Sequence, residues 1–267
     1  MAETDRKTEA LRTLEAGITR LTTSEAWQDW LTMQSRFHRY SFYNTLLILT
    51  QRPEASRVAG FHTWRQLGRH VRKGEHGISI LAPMVRRVRD EAQDEAERVR
   101  ILSGFKPVTV FDVAQTDGDE LPEVCTRING EDEAGLYARL VKVAQGIGYS
   151  VEDAEIPGES NGDCTFDLHR IRVEVRNSPA QRVKTLAHEL AHAMLHESFP
   201  DRALAELEAE STAYVVCSAL DIPSDEYSFG YVAGWAGGGD QALAAIKASG
   251  ERIHQAADAI LTKLEAA

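Results

Sequence analysis

The sequence predicts an α+β chain of two domains: an N-terminal domain of helices and an antiparallel sheet, and a C-terminal domain built around a strand, a turn and a long helix. Three observations carry this. Runs of helical periodicity alternate with short period-two runs along the chain. The 267 residues exceed the usual single-domain length, and a hydrophobic fraction of 43% can build sizeable cores. The charge is also divided. Residues 1–118 carry 18 Lys and Arg against 15 Asp and Glu, whereas the remainder carries 12 against 26, so nets of +3 and -14 make up the overall -11.

The elements follow in order. Residues 3–16 form a polar helix, and 24–31 a second helical stretch. Tyr43–Thr50 is too apolar for exposure and reads as a core helix, broken by Arg52-Pro53-Glu54. Thr63 caps a short helix through His70, and Arg72–Gly77 is a tight turn. Ile78–Pro83 is a strand ended by proline, 90–100 a charged insert or hairpin tip, and Val108–Val113 another strand. Residues 117–122 lead into a linker, which gives domains of 1–125 and 131–267. Beyond it, Ile171, Val173 and Val175 alternate with charged residues as a half-buried strand, with 164–168 as a hairpin partner through the His169-Arg170 turn. Ser178, Pro179 and Gln181 then start a helix as N-cap, first position and capping-box residue. Residues 202–213 and 242–264 are further helices.

The helix begun at Ser178 contains His188-Glu189-Leu190-Ala191-His192, an HExxH motif. Positions i and i+4 share a helix face, so both imidazoles can reach one Zn²⁺, and Glu189 then flanks the open position as general base. The bland alternative is an amphipathic helix with polar residues at these places. A zinc needs a third ligand. The metzincin continuation is absent, since Leu195 and Ser198 occupy its Gly and His offsets. The helix at 202–213 offers Glu206, Glu208 and Glu210, successive ones pointing to roughly opposite sides, so at most one is expected to face the metal. His196 lies one turn past His192, about 6 Å along the axis, too far to share the ion. Tyr214 and Tyr231 are the candidates to steady an oxyanion.

No run of about 18 apolar residues exists, so no membrane partner is expected. Met1–Arg6 shows no signal-peptide core, and the three cysteines form no CxxC pair, both pointing to the cytoplasm. The N-terminal positive charge is concentrated. Between Arg36 and Arg89 stand 11 basic residues and only Glu54 and Glu75, a net of +9. Aromatic rings are interleaved with them. Cations that follow phosphates and rings that stack on unpaired bases make a single-stranded DNA site, with Arg39, Tyr40, Tyr43, Trp64, Arg65, Arg69, Arg72, Lys73 and His76 as candidate contacts. The alternative is a solvated basic face over core aromatics, Trp64 among them.

Several of these stretches resemble a known family. Tyr40–Asn44, Gln51–Pro53, Gly60–Trp64, Val71–Glu75 and Val110–Gly118 resemble the N-terminal domain of ArdC-type antirestriction proteins. The resemblance implies single-stranded DNA binding and a following zincin-like metallopeptidase domain. In the C-terminal half, Glu208-Ala209 with Ala213 resembles the ExxxxA pattern of gluzincin-type ImmA/IrrE peptidases. That implies Glu208 as the third ligand, with Glu210 and Glu206 as alternatives. Two function classes follow. One is a zinc metalloendopeptidase recruited by single-stranded DNA to a protein substrate. The other is a coating protein that guards DNA, with zinc only structural; Glu189 favours the first, because a structural site needs no base.

Overall fold

A computed structural model describes residues 3–89, 98–121, 133–222 and 239–266. The fold class is the expected α+β, and the described residues form two compact units. One comprises 1–17 and 46–120, the other 18–45 and 121–267. The chain therefore does not divide only at the linker around 125–131. Helix α1 (Glu3–Arg20) leaves the first unit near its end, and α3 (Phe42–Gln51) returns to it. The reason lies in α2 (Ser24–Arg36), whose Trp27 and Trp30 are fully buried in the second unit. Trp27 Nε1 donates to Ser211 Oγ at 3.1 Å, and Trp30 meets Phe42 edge-on at 5.1 Å.

In the first unit β1 (Val58–Gly60), β4 (Arg98–Asp112) and β3 (Ile78–Arg89) form an antiparallel sheet in the order β1-β4-β3. Inward-facing Ile78, Ile80 and Val110 are buried, as are Leu46, Leu47 and Ile48 of α3 and Ala10 and Leu14 of α1. The β3 strand outruns the expected Ile78–Pro83. Pro83 sits inside the ladder opposite Phe105, one position before a register shift at Met84/Val85. Residues 90–97, the first eight of the expected 90–100 insert, lie outside the described residues.

The helix expected from Thr63 to His70 is shorter: α4 is Phe61–Gln66. Gly68, at φ 74, takes a left-handed turn that a helix cannot continue. Arg69–Val71 (β2) then pairs antiparallel with Thr116–Gly118 (β5), a segment expected to be leaving the domain. Between β4 and β5 the buried Asp112 carboxylate accepts from the amides of Ser56, Arg57 and Ala114 at 2.8–3.0 Å. Gln115 donates to Glu75 Oε2 and the His76 carbonyl. The Asp-to-Gln stretch thus fastens loops, since a buried polar group left unbonded is costly.

The second unit has a sheet in the order β6-β8-β7: β6 (Ser150–Ala154), β8 (Arg170–Glu174) and β7 (Gly162–Thr165). β7 and β8 are the expected hairpin, with Cys164 opposite Ile171 and His169 in the left-handed turn at φ 45. Alternation alone did not reveal β6, which runs parallel to β8. Helices α5 (Glu133–Gly146), α6 (Pro179–Leu195), α7 (Arg202–Ala219) and α8 (Asp240–Ala266) complete the unit, α6 lying against β7 and β8 and α8 against α5, α6 and α7.

Trp64 tests the packing of the first unit. Its ring is 2% exposed and its Nε1 donates to the Phe111 carbonyl at 2.9 Å. Trp64→Ala should lower stability in denaturant unfolding by about 3–5 kcal/mol, the range for deleting a large buried ring. Trp64→Phe, which mainly gives up the hydrogen bond, should lower it by about 1–2 kcal/mol. A Trp64→Ala chain as stable as the wild type would contradict the packing.

Candidate metal centre

Helix α6 starts as its sequence directs. Ser178 Oγ accepts from the Gln181 amide at 3.3 Å, and Pro179 takes the first helical position. Val183, Leu186, Ala187, Leu190 and Ala191 turn into the core. That fixes the helix's rotation and leaves His188, Glu189 and His192 on the wall of a cleft of ≈ 740 Å³. Edge strand β7 forms another wall through Gly162, Asp163 and Cys164. A Cβ on Gly162 would come within 2.5 Å of Thr185 and 3.0 Å of the Glu189 carboxylate, so bare backbone here lets Glu189 lie against the strand.

The two imidazoles converge. His188 Nε2 and His192 Nε2 are 3.0 Å apart, and the Glu206 carboxylate lies 3.4 Å from the first and 3.7 Å from the second. Ligand atoms about 2.0–2.1 Å from one tetrahedral ion stand about 3.3–3.4 Å apart, so this triangle fits a divalent cation. The charges agree. The neighbouring His188 and His192 imidazoles hold Glu206 well below the usual carboxylate range. Burial opposes ionisation of Glu210, but its bond to His188 and the nearby Lys184 ammonium keep its carboxyl lowered. His188 is raised: burial works against its charge, yet the bonds to Glu206 and Glu210 win. Cys164, on the facing strand, is pushed up to about 12 by burial and the Glu189 charge.

Glu189 is buried beside this triangle. Burial pushes its carboxyl up to about 7, His188 opposing and Glu206 adding to the rise. A base tuned near neutrality can both take and return a proton. His188 Nδ1 lies 3.1 Å from Glu210 Oε2, and Glu210 is in turn 3.2 Å from Lys184 Nζ. Such a carboxylate behind an imidazole fixes which ring nitrogen faces the metal.

The third position therefore differs from the one expected. Glu208 is fully buried on the other side of α7, bonded to Arg252, Ser249 and His196, and does not reach the His188/His192 pair. Glu206 and Glu210 are the residues that do. Their spacing of four puts both on one helix face and Glu208 opposite, so two carboxylates serve the cleft where one was expected. His196, expected to stand outside the ligand set, meets His192 Nδ1 through its own Nδ1 at 2.9 Å. Tyr214 does not line the cleft; its hydroxyl lies 2.9 Å from Thr32 Oγ1 on α2. Tyr231–Trp235 lie outside the described residues.

The nine candidate DNA contacts separate. Arg39, Tyr40 and Tyr43 belong to the second unit, where Arg39 is paired with Glu265. The other six belong to the first. Trp64 is a core residue, and a ring buried under its own domain cannot stack on a base. Arg69 is spent on the Thr116 hydroxyl and carbonyl at 2.8 and 2.9 Å, and Arg72 on Glu75 at 2.9 Å and Asp117 at 3.3 Å. Both brace the β2–β5 pair. Arg65, Lys73 and His76 are exposed. Phe61, one of the aromatic rings interleaved with the basic residues but not among the nine, is 44% exposed and edge-on to Phe111 at 6.5 Å.

With the geometry in hand, comparison with known proteins is informative. Residues 6–111 match the N-terminal domain of anti-restriction factor ArdC, and residues 152–226 match the IrrE N-terminal-like domain. Two crystal structures of the antirestriction ArdC protein from the R388 plasmid share the fold. The Mn(II)-bound one is 21% identical, with 94% of this chain and 97% of that one covered at a TM-score of 0.60. For the metal-free one the figures are 23%, 85%, 86% and 0.55. An uncharacterized protein of Bacillus anthracis, pXO2-81, is 25% identical over 86% of this chain, which spans only 46% of that relative's length. A match to the ArdC N-terminal domain and a match to the IrrE N-terminal-like domain thus occur in order along one chain, and its fold is that of the ArdC crystal structures.

Proposed function

We propose that the chain is a zinc-dependent endopeptidase that single-stranded DNA recruits to a protein substrate. The observation that carries this is the convergence of His188 Nε2, His192 Nε2 and a Glu206 oxygen within one ion's reach, with Glu189 beside them under an open strand edge. Two imidazoles and one carboxylate are a donor set that catalytic zinc sites use, with a fourth position left for substrate. The bound ion would supply Lewis-acid polarisation of a carbonyl and acidify water. Glu189 takes the proton of the attacking water and returns it to the leaving amine. β7, whose outer edge has no neighbouring strand among the described residues, pairs with an extended peptide and holds its carbonyl toward the cleft. Manganese is the ion in one solved ArdC structure, so metal identity is part of the test.

In the first unit the support is chemical. Phe61 offers a half-exposed ring, and Arg65, Lys73 and His76 are exposed polar groups on the same unit. Rings that stack and cations that follow phosphates bind single strands with little sequence preference.

Metal analysis of the purified chain should find close to one zinc per chain. His188→Ala, His192→Ala and Glu206→Ala should each lose it, whereas Glu189→Gln should keep it and lose all peptidase activity on a DNA-bound protein. Retention in Glu206→Ala would return the third position to another carboxylate. A wild type that cuts nothing, with or without single strands, would favour the coating protein with a structural metal.

For DNA, Phe61→Ala should weaken single-strand binding by about 1–3 kcal/mol and leave the salt dependence unchanged, as stacking requires. Arg65→Ala with Lys73→Ala should weaken binding and flatten that dependence, because phosphate contacts release counterions. Equal affinity for duplex and single strand would contradict the stacking model.

A further inference from the structure

We propose that Arg252, Glu208 and His196 form a positioning chain that holds His192 in the tautomer whose Nε2 faces the metal, so that α8 sets the affinity of a centre it does not touch. The inference rests on the metal-centre reading above. The chain starts at a fully buried carboxylate. Glu208 receives Arg252 Nε and Nη2 as a two-pronged fork at 2.8 and 2.5 Å, and Ser249 Oγ at 2.7 Å. The fork is the strong, directional form of an ion pair, and it keeps Glu208 ionised. An ionised carboxylate only accepts. His196 Nε2, 3.2 Å away, therefore carries a proton and donates it.

The rest follows from proton counting. With its proton on Nε2 facing Glu208, His196 can present a bare Nδ1, and that atom is 2.9 Å from His192 Nδ1, the nitrogen that keeps the proton when His192 ligates through Nε2. Two ring nitrogens at this distance share one proton, so it sits on His192 Nδ1. His192 is then left with a lone pair on Nε2, the atom 3.0 Å from His188 Nε2. The opposite arrangement would set the bare Nε2 of His196 against a carboxylate in a place only 2% exposed, two acceptors facing each other without water. The ring of His196 packs on Phe199 at 5.3 Å between centroids, tilted by 58°, and the Arg252 guanidinium lies 5.0 Å over that phenyl ring. His196 is the C-cap of α6, where the last turn is otherwise free to fray. His188 needs no such chain, because Glu210 meets its Nδ1 directly.

Two measurements on the full-length chain decide it. Nitrogen-15 NMR of histidine-labelled, zinc-loaded protein should show His196 protonated on Nε2 only and His192 on Nδ1 only. Chelator competition should show His196→Phe and Arg252→Met binding zinc about 10–100-fold more weakly, the usual loss when a ligand's supporting partner is removed. Arg252→Lys, which keeps the charge but not the fork, should fall toward the lower end of that range and serves if a larger change unfolds the chain. The melting temperature of each metal-free variant separates weak binding from a damaged fold. A proton on His196 Nδ1, or folded variants that bind zinc within about twofold of wild type, would overturn the proposal alone. A wild type that takes up no divalent ion would overturn the metal-centre reading and this proposal with it.

Discussion

The candidate centre depends on how α7 packs against α6. Each helix brings a pair of residues one turn apart to the shared cleft, His188 and His192 from one, Glu206 and Glu210 from the other. Neither pair means much alone. Two histidines at i and i+4 leave the third ligand undecided, and three alternating glutamates leave the face undecided. Burial decides both. Ala187 and Ala191 on α6, and Ala209 and Ala213 on α7, are all fully buried, which fixes the rotation of each helix and hence which polar residues reach the cleft.

The same packing explains why Glu208 is worth keeping. A charge in a site with no exposure is strongly unfavourable unless every oxygen is bonded. Here Arg252, Ser249 and His196 between them bond both oxygens. The first unit applies the same rule to a different end. Asp112 and Gln115, also buried, bond backbone amides and carbonyls and so shape the turn that lets β5 meet β2. One buried carboxylate supports a candidate metal ligand; the other supports only backbone.

Local signals were legible in the sequence where a short-range rule decides the outcome. The capped start of α6, the β7–β8 hairpin and the apolar α3 all follow from capping, alternation or composition within a dozen residues. Long-range pairings were not legible. The parallel β6, the β2–β5 pair and the placement of α2 with the C-terminal unit depend on partners 20 to 184 positions away, such as Ser211 for Trp27. The third ligand was half legible. The i, i+4 spacing of Glu206 and Glu210 was present in the sequence, but the Glu208-Ala209 pattern drew attention to the residue between them. Among the proposed DNA contacts, a charged or aromatic residue type says nothing about burial, which is why Trp64 reads as a contact until its ring is found beneath the surface.

X-ray absorption at the zinc edge, on the chain reconstituted with one equivalent of zinc, tests the central claim most directly. The account predicts two imidazole nitrogens with carboxylate and water oxygens, all about 2.0–2.2 Å from the ion and none of them sulfur. It predicts that the Glu206→Ala chain loses one oxygen scatterer or the metal itself. A spectrum with three imidazoles, or one unchanged in Glu206→Ala, would contradict it.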